Sequence, residues 1–141
     1  MGPAAPGRIA RRRPTPRPRE VLSPVYHLAS HADWDTAQAR GAYRTASLDS
    51  DGFIHCATAS QVAGVANALY FGRKDLVLLE IDPTLLAVPL RFEAPVDPVT
   101  GAADAANPER FPHIYGEIPL DAIVATTEIR PNPDGSFTFP F

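Results

Sequence analysis

The chain has 141 residues, 45% of them hydrophobic and 21% charged, with a formal net charge of -3. That is enough for one packed domain; no apolar run has the length of a membrane span, and the single cysteine, Cys56, excludes an intrachain disulfide or a Cys-rich zinc site. The charge is uneven: residues 1–20 hold six Arg against Glu20, a balance of +5, which leaves -8 for the remainder. An acidic body is a poor platform for phosphate backbones, so nucleic acid is expected only through the Arg-rich tail. The basic amino end leads into no apolar stretch, and a cytoplasmic monomer without membrane association is expected.

Residues 1–24 contain six prolines and no periodicity. They are expected to form a disordered extension, with residues 25–141 as a single domain. Val25 to Ala29 is the first strand candidate, with His27 pointing away from Tyr26 and Leu28. Ser30 or Asp33 can cap a short helix through Trp34, Ala37 and Gln38 that stops near Gly41. Tyr43 and Arg44 then lie in an irregular stretch.

Asp51-Gly52 is a turn dipeptide, because Gly accepts positive φ without steric cost. Phe53 to Cys56 reads as a short buried strand carrying His55. Thr58-x-x-Gln61 fits a capping box at the start of a helix. That helix shows an apolar stripe at Val62, Val65, Ala66, Leu69 and Tyr70, with Gly64, Asn67 and Ala68 as a small-residue face. Free N–H groups near Ala59 to Gln61 would suit an anion, so Thr58 and Gln61 are candidate ligand contacts.

Asp75 to Asp82 is the clearest strand, apolar enough to be central in a sheet. Pro83 to Leu86 suits one helical turn, and Val88 to Glu93 an edge strand. Ala94 to Arg110 has no pattern and reads as a binding loop or lid. Phe111 to Glu117 follows, with His113 and Tyr115 on one face and Gly116 open to close approach. Pro119 to Ala122 should turn. Ile123 to Arg130 is a strand, and Asn132 to Gly135 would form a hairpin to a last one at Phe137 to Phe139.

Three histidines, His27, His55 and His113, sit on predicted strands, each beside an aromatic. Imidazole donates, accepts and titrates near neutrality, so a cleft lined by several can hold hydroxyls and developing charge. Tyr115 or Tyr43 can stack on a planar ring, and Arg44 can meet a phosphate. Glu117 is a further carboxylate. Cys56 faces away from His55 and reads as core. Three neutral imidazoles also suit an open zinc site with water, although no HxH or HExxH pair occurs. A non-enzymatic binding module would keep the same cleft.

Taken together, Tyr26-His27-Leu28, Trp34, Tyr43, Gly52 to Cys56, Gln61, Val65-Ala66-Asn67 with Tyr70, Leu76 to Asp82 and Phe111 to Gly116 resemble the bacterial "domain of unknown function 952" family. That family is in turn similar to the ADP-ribosyltransferase fold, including its RNA 2′-phosphotransferase branch. The resemblance implies an α/β (α+β) domain with a split mixed sheet of about six strands and two main helices. It implies a cleft for NAD or an ADP-ribose/2′-phosphate nucleotide, 2′-phosphorylated RNA included, and transferase chemistry. His27 would hold the ribose and His55 support the nicotinamide side. His113 or Tyr115 would stand near the catalytic polar group, since Glu117 falls just outside the last strand.

Overall fold

The structure is a computed structural model describing residues 23–97 and 100–141. The expectation for residues 1–24 falls almost entirely outside that range. Among the described residues, eight strands and three helices are laid down in chain order, with two 3-10 turns between them. They are β1 (Val25–Ser30), α1 (His31–Arg40), β2 (Ala42–Tyr43), α2 (Ser47–Ser50), β3 (Ile54–His55), α3 (Val62–Leu69), β4 (Leu76–Ile81), β5 (Leu90–Glu93), β6 (Phe111–Ile114), β7 (Ile118–Pro119) and β8 (Ile123–Ile129). The turns are Pro83–Leu85 and Leu120–Ala122.

Local chemistry accounts for most of these boundaries. The Ser30 hydroxyl accepts from the Asp33 N–H at 3.0 Å, and Gly41 closes α1 at φ 92°. β4 is buried along most of its length because both faces are covered. Val77, Leu79 and Ile81 enter one core with Ala37 of α1, while Leu76 and Leu78 enter a second with Val62 and Ala66 of α3. The apolar run is therefore a central strand between two helices.

The sheets are β1–β4–β8, β3–β6–β5 and the pair β2–β7. Every strand pairing among the described residues is antiparallel, where a mixed sheet was expected. The two three-stranded sheets meet at one bridge. The Tyr26 N–H donates to Ala57 O at 2.7 Å, and the Ala57 N–H to Tyr26 O at 2.8 Å. Beyond that bridge β1 and β3 part. The result is a small α+β domain whose sheet is split down the middle.

Two further expectations are corrected. α3 begins at Val62, because the capping box forms only in part: Gln61 Oε1 takes the Thr58 N–H at 3.0 Å, but the Thr58 hydroxyl turns to Ser60. Phe137 to Phe139 is not a strand. The turn before it does form, with the Gly135 N–H on Asn132 O at 2.8 Å, but the segment then docks on α3. Asn67 holds it at both ends of one peptide edge, donating to Phe137 O at 3.2 Å and accepting from the Phe137 N–H at 2.7 Å.

Candidate functional site

Where β1 and β3 part lies a hollow of about 350 Å³, walled by β1, the α2 segment, α3 and Pro95-Val96. His27, His55 and His113 all line it, as does Asp51. Alternation on β3 and β6 puts them there. Ile54 and Ile114 pair with one another and face the core, so the adjacent residues His55 and His113, which also pair with one another, face the other way. These two rings lie 5.6 Å apart, and Phe53 stacks on His113 at 4.0 Å with an 18° interplanar angle.

The three imidazoles do different things. His27 Nδ1 is 2.6 Å from the carbonyl of His55 and Nε2 is 2.8 Å from the Tyr43 hydroxyl. A carbonyl only accepts, so Nδ1 carries the proton and Tyr43 donates to Nε2. Burial leaves His27 8% exposed and pushes its pKa down to about 4, which keeps it neutral. It therefore pins β1 to β3 and β2. Neither ring nitrogen is left for a ribose hydroxyl, contrary to the role expected of it.

His55 and His113 are each held by a carboxylate. His55 Nε2 donates to Asp51 Oδ2 at 2.7 Å, and the Asp51 side chain is 9% exposed. His113 Nδ1 donates to Glu93 Oε1 at 2.9 Å, and the Tyr115 hydroxyl donates to the same oxygen. The other nitrogen of each ring has no hydrogen-bond partner among the described residues. Burial lowers the His113 pKa, with Glu93 opposing it.

A backbone group is open here too. Tyr26 exchanges both hydrogen bonds with Ala57, so its peptide groups point away from β4. By strand alternation those of Leu28, two residues on, point the same way, beyond the bridge. Leu28 is among the residues that line the hollow, and no backbone bond joins its outer edge to β3 beyond the Tyr26–Ala57 bridge.

The other expected contacts lie elsewhere. Tyr43 is wholly buried behind His27 and outside the hollow's lining, so it cannot stack on a ligand. Arg44 is occupied on the surface by Asp49 and Glu117 at 3.2 Å, and Glu117 also takes Arg40 at 3.1 Å. Thr58 and Gln61 are spent on the start of α3: the Gln61 and Val62 N–H groups both bond Thr58 O, and the Gln61 side chain donates to Arg110 O at 2.8 Å. Gly116 is small for packing, since a Cβ there would meet Val88 Cγ1 at 2.5 Å. Tyr115 lies outside the hollow under the Arg91 guanidinium, 5.2 Å from the ring centroid. Cys56 is the exception, a buried core residue that also borders the hollow.

Among the described residues no three His, Cys, Asp or Glu side chains are placed to hold a metal ion. With His27 already committed, the three-histidine zinc site is set aside. Also among them, no helix is long and apolar enough to cross a membrane.

Sequence reading missed Asp51, Glu93 and Tyr70 as site residues. Asp51 stands four residues before His55 across a glycine turn, a spacing that could have suggested a pair. Glu93 meets His113 only through the β5–β6 register. Tyr70 closes α3 and lines the hollow, the place where an apolar stripe runs into a cleft.

The fold and cleft define a small antiparallel α+β domain with a ligand-sized hollow at a sheet split. The chain belongs to the family described as protein of unknown function (DUF952), whose model matches residues 28–126. It is similar to the crystal structure of protein CC0527 from Caulobacter crescentus, with a TM-score of 0.68 and 28% identity over 82% of this chain and 94% of that one. The solution structure of CC0527 matches at a TM-score of 0.61 and 28% identity, over 82% and 91% of the two chains. No curated protein matches the chain.

Proposed function

We propose that this domain binds NAD, or a related ADP-ribose or 2′-phosphate nucleotide, in the hollow and acts as a transferase of ADP-ribosyltransferase type. One observation carries the reading: at the sheet split, an open peptide edge and open imidazole edges line one hollow. Its volume of about 350 Å³ is near the low end of small-ligand pockets. That suits one end of a dinucleotide better than the whole.

The lining's charge selects which end. It contains the carboxylate of Asp51 and neither Arg nor Lys. Such a wall favours the positively charged nicotinamide ring over a phosphate, and NAD over 2′-phosphorylated RNA. The Leu28 peptide offers the donor–acceptor pair that a primary carboxamide needs. Tyr70 offers an aromatic face. The bound substrate supplies a glycosidic C–N bond whose cleavage builds positive charge on the ribose. Asp51, through His55, opposes that charge and would stabilise it.

Isothermal titration with NAD, ADP-ribose, nicotinamide and 2′-phosphorylated RNA tests this. NAD should bind, and Tyr70→Ala should weaken it by roughly 5- to 150-fold, as the loss of ~1–3 kcal/mol of stacking predicts. No binding to any of the four at millimolar concentration would overturn the reading. Binding without release of nicotinamide would leave a binding module and remove the transferase.

A further inference from the structure

We propose that Glu93 is a positioning residue that holds His113 with Nε2 turned to the cleft, where it accepts the proton of an attacking O–H nucleophile, water included. The catalytic half of this rests on the NAD reading above; the positioning half does not.

The geometry begins with the strand order. β5 is the edge strand beside β6, and β3 lies on the other side. The bond from Nδ1 to Glu93 draws that nitrogen toward β5. The second ring nitrogen diverges from the first, so Nε2 turns toward β3 and the hollow that His113 lines. His113 is only 1% exposed, and Nε2 has no partner among the described residues. A buried polar atom left this way has a cost in the apo protein, and an incoming O–H removes it. Phe53, stacked on the ring, leaves it little room to flip.

Glu93 is itself held. The Tyr115 hydroxyl shares Oε1 with His113, and this bond holds the Glu93 carboxyl below the usual carboxylate range. The ionised carboxylate fixes the proton on Nδ1, which leaves Nε2 with its lone pair. The charged and titratable groups facing His113 are Glu93 and Arg91 from β5, Tyr115 from its own segment, His55 from β3 and Asp51 from the preceding turn. Burial dominates over them and favours the neutral ring.

In the step itself, the O–H proton passes to Nε2 as the oxygen bonds the ribosyl carbon. The electron pair of the broken C–N bond leaves with neutral nicotinamide. The imidazolium keeps its Nδ1 proton on Glu93, so charge and atoms balance.

Long-range 15N–1H NMR of the ligand-free full chain reads the His113 tautomer directly. The wild type and Glu93→Gln, whose amide oxygen still accepts, should show the Nδ1–H form; Glu93→Leu should show a mixture. A wild-type ring protonated at Nε2 overturns the proposal whatever the ligand is. Nicotinamide release from NAD against pH reads the second half. Glu93→Leu should lower kcat roughly 10–100-fold with KM little changed. Its acid limb should move to lower pH, because the group that raises the His113 pKa is gone. An unmoved limb overturns the base role. A correct tautomer with no NAD turnover sinks the NAD reading instead and keeps the positioning.

Discussion

His27 looked like a ligand-holding imidazole and is a structural pin. The motif was legible in the sequence; the occupation of both nitrogens was not, since His55 O and the Tyr43 hydroxyl arrive from residues 28 and 16 positions away. The pin makes stability depend on pH. The folded state holds His27 neutral with a pKa of about 4, against 6.5 when unfolded, so the unfolded chain binds the proton first as pH falls. Stability from this residue is intact above pH 6.5 and drains away down to about 4, by about 3 kcal/mol in all. His27→Gln can keep both hydrogen bonds without titrating. Urea unfolding at a series of pH values should show wild type losing that amount relative to the variant between those limits. Parallel curves would rule the pin out. The same limit applies to Glu93, since an imidazole's neighbour across a register is invisible until strands pair; Asp51, four residues before His55, was within reach of a local reading.

Elements were readable where their signals were local. α1 carries its own Ser30 cap and Gly41 stop, and β4 announces itself by an apolar run interrupted only at Glu80. α3 was placed too early because Thr58 and Gln61 complete only half the motif. The end of the chain was misread because Phe-Thr-Phe has strand alternation, while its hydrogen bonds come from Asn67, a helix residue 70 positions back. Asn67→Ala should therefore leave a buried peptide edge without partners and cost about 1–3 kcal/mol. Hydrogen exchange is the sharper test: the Phe137 amide should lose protection while the β4 amides keep theirs. Retained protection at Phe137 would mean that packing, not Asn67, holds the segment.

At the scale of the molecule, two sheets share one bridge and yet should melt together. Val25 and Val77 of the first sheet and Ile54 and Ile114 of the second enter a single core, and Trp34 packs against it. Thermal unfolding followed by Trp34 fluorescence and by far-UV circular dichroism should give one midpoint. Separate midpoints would show two independent halves. Gly116 belongs to this scale as well, since it lets the end of β6 pass beneath Val88. Gly116→Ala should cost about 1–3 kcal/mol through overpacking, and Val88→Ala in the same chain should recover part of it.

The loop after β5 closes mainly on itself. The Asp104 N–H bonds Pro95 O at 2.9 Å, the Asp97 N–H bonds Ala102 O at 3.0 Å, and Val96 bridges Ala103. Pro95 and Val96 are nevertheless part of the hollow's rim. Gly101 of the same loop comes up against the site carboxylate, since a Cβ there would lie 3.8 Å from Asp51 Oδ1. A change in the length of this loop would therefore alter the rim and the surroundings of Asp51 together.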